Sequence, residues 1–151
     1  MDLLHFEDFP VGEVIVFGDK LVTAAEIVAF ASEWDPQPYH VDAEAAKVSQ
    51  IGELIASGWH TGSLLMRMIC DAYLLRAASE GAPGIDEMRW LKPVRPGDRL
   101  SVRRTTLAAR VSRSRPQIGI VDFQFEVMNQ TGETVLLLKS ASFFRRRPEA
   151  V

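Results

Sequence analysis

The chain has 151 residues, 47% hydrophobic and 25% charged, with a formal net charge of −3. That length suits one domain with one sizeable core, and the sequence reads as a single domain over 1–151. The near-neutral balance, with no exposed aromatics interleaved among the basic residues, argues against a nucleic-acid partner.

The start, Met1-Asp2-Leu3-Leu4-His5, has no basic segment followed by an apolar run, so no secretory signal is read there. His5 receives no role, because that end and Arg145-Arg146-Arg147 at the other are expected to fray. Glu13 to Phe17 is a short β-branched run that reads as a strand ended by Gly18-Asp19. Thr23-Ala-Ala-Glu26 has capping-box spacing and opens a helix from Ala24 to about Glu33, with Ile27, Phe30 and Ala31 on one face.

Asp35-Pro-Gln-Pro-Tyr-His40 follows. Each proline fixes its own φ and pushes the residue before it out of helical geometry. Asp35 and Gln37 should be extended, and the segment a stiff loop presenting one carboxylate and one imidazole. Asp42 is a good N-cap for a short helix from Ala43 to about Val48.

Gly58 to Ser79 reads as one long helix, apolar nearly all round and so expected to be buried on several sides. Arg67, Asp71 and Arg76 interrupt the apolar stretch from Trp59 to Ser79, which makes it a poor membrane span. Cys70 is the only cysteine, so no internal disulfide forms and a reduced, cytoplasmic setting is expected. Gly81-Ala82-Pro83-Gly84 stops the helix. Met88 to Leu91, Arg99 to Val111, Ile118 to Met128 and Thr134 to Phe144 then read as antiparallel strands separated by turn clusters. The architecture is α+β: a largely apolar helix wrapped by a curved antiparallel sheet drawn mostly from the second half.

Charge is uneven along the chain. Residues 1–75 carry 3 basic and 12 acidic side chains, and residues 76–151 carry 14 and 8. A basic second half suits an anionic ligand, although a solvated strand face with alternating arginines explains the same count.

Phe30-Ala-Ser-Glu-Trp-Asp35-Pro-Gln-Pro-Tyr-His40-Val-Asp42, followed by Ala45-Ala46, resembles the signature of the MaoC-like dehydratases, which include (R)-specific enoyl-CoA hydratases. Ile55-Ala-Ser-Gly58 and Lys92-Pro-Val-Arg-Pro-Gly-Asp98 agree with it. Trp34-Asp35-Pro36-Gln37-Pro38 and Ser57-Gly58 depart from the Gly-Asp-x-Asn-Pro and His-Gly that such hydratases usually carry.

The resemblance implies a hotdog fold, a homodimer or a multiple of one, and hydration of an enoyl-CoA thioester or the reverse dehydration. It implies no metal or redox cofactor, coenzyme A being part of the substrate, and Asp35 and His40 as the catalytic pair on one water. Which of the two protonates the α-carbon is left open. Arg89, Lys92 and Arg95 are candidates for the phosphates of coenzyme A.

The growing oxyanion needs a preorganised donor, and the start of the buried helix supplies free N–H groups at its positive end. The N–H of Gly58 is the candidate, a role worth about 3 kcal/mol at such sites. Ser63 is a second candidate at this site, against the plainer reading of a small packed residue. His60 reads as a packing residue, and three scattered histidines argue against a metal site. Two other functions use the same features: a hotdog acyl-CoA thioesterase, and a non-catalytic acyl-CoA-binding subunit.

Overall fold

The computed structural model describes residues 2–150. Its elements are β1 (Val14–Leu21), α1 (Ala24–Trp34), α2 (Pro38–Val41), α3 (Ala43–Ala46), α4 (Gly58–Ala72), β2 (Glu87–Trp90), β3 (Arg99–Val111), β4 (Ile118–Met128) and β5 (Thr134–Arg145). The strands form one antiparallel sheet in the order β1-β3-β4-β5-β2. β3, β4 and β5 meander through its centre because short turns join antiparallel neighbours. Register shifts interrupt the β1–β3, β3–β4 and β4–β5 ladders, and strands bend at such points.

Alternation along β4 turns Val121, Phe123, Phe125 and Val127 to one face, all buried. Leu65, Met68 and Ile69 of α4 join the same apolar cluster. One helix laid against a five-stranded antiparallel sheet is the α+β layout read from the sequence.

The helix is shorter than its apolar run suggested. α4 ends at Ala72, and a 3-10 turn, Leu74–Arg76, leads into bridges from Ala77 to Leu4 and from Ser79 to Phe144. Tyr73 leaves helical geometry at φ −156°, ψ −28°, with its ring packed edge-on to Phe17 and tilted against Phe9. Nor is α4 enclosed on several sides. Met66 is exposed, and Arg67 and Asp71 make an exposed ion pair of 3.0 Å one turn apart, so the outer face meets solvent.

Other expectations also change. β1 does not stop at Gly18-Asp19 but bulges there and continues to Leu21. Gly18 has φ +84°, and Met68 packs where a Cβ would stand. Among the described residues near each terminus, Leu4 and Arg147 are tied down rather than frayed: Leu4 N–H donates to Arg76 O at 2.8 Å, and Arg147 donates to both oxygens of Asp8. The arginines of β3 are not all solvated. Arg104 is 2% exposed, ion-paired with Glu13 and lodged among the rings of Phe9, Tyr73 and Phe123. Among the described residues, no helix is long and apolar enough to cross a membrane.

Candidate active site

Thr23 opens α1 by accepting the N–H of Glu26, and Asp35 closes it by donating its own N–H to Ala31 O at 2.8 Å. The carboxylate therefore leaves the helix end on a fixed backbone. Gln37 is extended at φ −67°, ψ 141°, as expected before a proline, whereas Asp35, also before a proline, is non-helical but not extended at φ −153°, ψ 67°. His40 is not on a loop. Pro38 starts α2, because proline suits the first turn of a helix, and His40 lies on that short turn. Asp42 then caps α3 as read, accepting from Glu44 N at 2.9 Å and Ala45 N at 3.3 Å.

The opposite wall is the segment that enters α4. Ala56 N–H bonds to Val94 O at 2.9 Å, and Ile55 N–H to Tyr39 O at 3.3 Å. Nδ1 of His40 lies 2.7 Å from Ile55 O, and a carbonyl only accepts, so Nδ1 carries the proton. Nε2 is left facing Asp35 Oδ2 at 3.4 Å, with the His40 side chain 6% and the Asp35 side chain 17% exposed.

Two neutral donors hold Asp35. Gln37 Nε2 donates to Oδ1 at 2.7 Å, and Ser57 Oγ donates to Oδ2 at 2.7 Å. The Gln37 hydrogen bond first, then that of Ser57 and the nearness of His40, hold the Asp35 carboxyl below the ordinary carboxylate range, against the opposing effect of burial. Asp35 is thus ionised at neutral pH.

Ser57 is the N-cap of α4 and accepts the N–H of Trp59 at 3.3 Å. Gly58, next to it, donates its N–H to no other described residue. The Trp90 indole lies against Gly58 Cα in the space a Cβ would need. Asp35, His40, Gly58, Trp59, Trp90 and Lys92 line one cleft of about 590 Å³.

Ser63 faces elsewhere. Its Oγ donates to Trp59 O at 2.8 Å, and it lines a second, mainly apolar cavity of about 520 Å³ with Met66, Ile69, Tyr73, Met88 and Leu138. Trp59 borders both spaces. Burial pushes the Tyr73 phenol up to about 12, so this wall stays uncharged.

The structure thus brings Asp35, His40 and Gly58 to one cleft and sets Ser63 in the neighbouring cavity. Of the three phosphate candidates, only Lys92 lines the cleft. Lys92, Arg89 and Arg95 are ion-paired with Glu133, Glu87 and Glu53 respectively. His60 stacks on Phe30 at 4.7 Å, away from the cleft lining. Sequence reasoning missed Ser57, Gln37 and the Ile55 carbonyl. A serine directly before a glycine at a helix start is itself an N-cap signal, and it pointed to Ser57.

The MaoC like domain family matches residues 8–122. A MaoC-like dehydratase from Rhodospirillum rubrum superposes with a TM-score of 0.85 at 43% identity, over 97% of this chain and 99% of that one. The uncharacterised YdeM protein of Bacillus subtilis is 27% identical over 90% of this chain and 99% of its own length. The (R)-hydratase PhaJ1 of Pseudomonas aeruginosa shares the fold, with a TM-score of 0.76 at 22% identity over 99% of this chain and 92% of that one.

Proposed function

Because the chain belongs to the MaoC-like dehydratase family, we propose that it is a hydro-lyase that adds water to the double bond of an enoyl-CoA thioester, or removes water from the 3-hydroxyacyl-CoA. One observation carries the reading: an ionised carboxylate and an imidazole nitrogen whose other ring nitrogen holds the proton lie 3.4 Å apart in the lining of one cleft, beside an unpartnered helix N–H.

The chemistry follows from these positions. A water on the cleft side of the pair, within hydrogen-bond reach of both Asp35 Oδ2 and His40 Nε2, loses a proton to Nε2 as its oxygen bonds to the β-carbon. The π electrons move through the α-carbon to the thioester oxygen, where Gly58 N–H meets the charge. Asp35, unprotonated throughout, faces the imidazolium and stabilises it. Nε2 then gives the proton to the α-carbon, the carbonyl re-forms, and both side chains return to their starting state. Oxygen and hydrogen reach the same face of the double bond.

The apolar cavity behind Trp59 suits the acyl tail, and Lys92 at the cleft wall suits a phosphate of coenzyme A. β2 is an edge strand with Trp90 exposed at its end and Ile85 and Leu91 exposed in the residues that flank it. An apolar free edge of this kind is covered by pairing, and we read it as the dimer contact.

Crotonyl-CoA tests the reading. Loss of enoyl absorbance without release of free thiol supports it. Thiol release with the enoyl chromophore intact assigns the cleft to a thioesterase instead.

A further inference from the structure

We propose that Ser57 and Gln37 are positioning residues that clamp the Asp35 carboxylate, one neutral donor on each oxygen, fixing its direction and leaving His40 Nε2 as the proton carrier. The proposal rests on the hydro-lyase reading for its kinetic consequences, but not for its geometry.

Ser57 has one hydroxyl proton. As N-cap its oxygen already accepts from Trp59 N–H, and an ionised carboxylate only accepts, so the 2.7 Å contact takes that proton. Ser57 is fully buried, so its hydroxyl reaches Asp35 from the protein side rather than from solvent.

Gln37 is oriented from behind. The Tyr39 hydroxyl donates to Gln37 Oε1 at 2.7 Å, which turns the amide NH2 toward Asp35 Oδ1. The same Tyr39 ring meets the His40 ring edge-on at 4.3 Å, and its backbone carbonyl accepts from Ile55. Tyr39 therefore braces both members of the pair: Asp35 through Gln37, and His40 through ring contact and through the segment before α4 whose Ile55 carbonyl accepts the Nδ1 proton.

Few charges compete at this point. His40 on α2 faces the carboxylate directly, Glu33 precedes it by two residues on α1, and the first turn of α4 carries no acidic or lysine or arginine side chain. Lys92 on the far wall is held by Glu133. The two neutral donors therefore set the proton affinity of Asp35. Hydrogen bonds to a charged acceptor lower its basicity while preserving its charge. A carboxylate held this way is a poor base at neutral pH and a good partner for an imidazolium.

Ser57→Ala and Gln37→Met remove one donor each. Two readouts apply to both: kcat and KM on crotonyl-CoA, and the titration of the Asp35 side-chain carbon followed by 13C NMR. For Ser57→Ala we expect kcat to fall about tenfold or more with KM nearly unchanged. The Asp35 midpoint should rise toward or past the ordinary value of 3.8. Gln37 is exposed, so water partly replaces its amide; kcat should fall about threefold or more, with the midpoint again moving up.

A midpoint that stays put in both variants overturns the proposal, as does a folded Ser57→Ala protein with kcat unchanged. Ser57→Ala also removes a helix cap. If it fails to fold, Gln37→Met decides by the same two readouts, since the Gln37 side chain makes no cap hydrogen bond at the start of α2. An inactive wild type would sink the hydro-lyase reading alone, since the Asp35 titration still tests the clamp.

Discussion

The Trp90 indole fills the space beside Gly58 where any other residue would place its Cβ, so the start of α4 and the end of β2 approach more closely than side chains normally allow. The N–H of any first helical residue is unpaired, and glycine at this one is what lets a tryptophan form the cleft wall beside it. Gly58→Ala should displace Trp90 and the donor together. We expect kcat/KM on crotonyl-CoA to fall about a hundredfold, the cost of losing one oxyanion donor. The variant and the wild type measured side by side check this.

The cavity behind Trp59 owes part of its room to small residues on β5. Ser140 and Ser142 line it at inward positions paired with Phe123 and Val121 of β4. Ser142→Leu should fill that room. Turnover of long-chain enoyl-CoA esters should drop about tenfold or more relative to crotonyl-CoA, because each displaced methylene loses its contact. A panel of short, long and branched esters measures the ratio.

His60 offers a test of stability against pH. Its ring is buried against Phe30 and its Nδ1 has no hydrogen-bond partner. Burial holds its pKa below the ordinary 6.5, with Glu26 pulling it up and Lys20 pushing it down by lesser amounts. The unfolded chain then binds the proton more readily than the folded one. Its contribution to stability is complete above pH 6.5 and is lost as pH falls through the folded pKa, by at most about 1.4 kcal/mol per pH unit. His60→Phe keeps the stacking and removes the titration. Urea unfolding from pH 7.5 to 5 should show a flatter dependence in this variant, and higher stability at the acid end.

Pairing through β2 would cover exposed Ile85, Trp90 and Leu91. Light scattering at micromolar concentration should give twice the chain mass or a multiple of it. Leu91→Glu, which puts a charge on this exposed apolar edge, should shift the mass toward the monomer.

Much of this was legible in the sequence, and the reasons differ by element. β3 and β4 were placed to the residue because their alternation is long and their turns are rich in Gly, Pro, Asn and Ser. Thr23 and Asp42 were found as caps because capping is local chemistry. The end of α4 was not legible: apolar residues continue past Ala72, and only the tertiary packing of Tyr73 breaks the helix there. Arg104 misled for the same reason, since nothing local shows that three aromatic rings and Glu13 await it inside.

In the site, Asp35 and His40 stood out because two prolines isolate them. Gln37 lies only two residues from Asp35, but the other contacts that tune the pair span 22 residues to Ser57 and 15 to Ile55, separations at which spacing carries no signal.

The proposed hydration depends on an anionic side chain at 35 working with the neighbouring imidazole. Its most direct test is the crotonyl-CoA hydration rate of Asp35→Asn protein whose circular dichroism matches wild type. We predict a loss of about a hundredfold to ten-thousandfold, the range for general acid–base catalysis. A folded Asp35→Asn protein hydrating at the wild-type rate would contradict it.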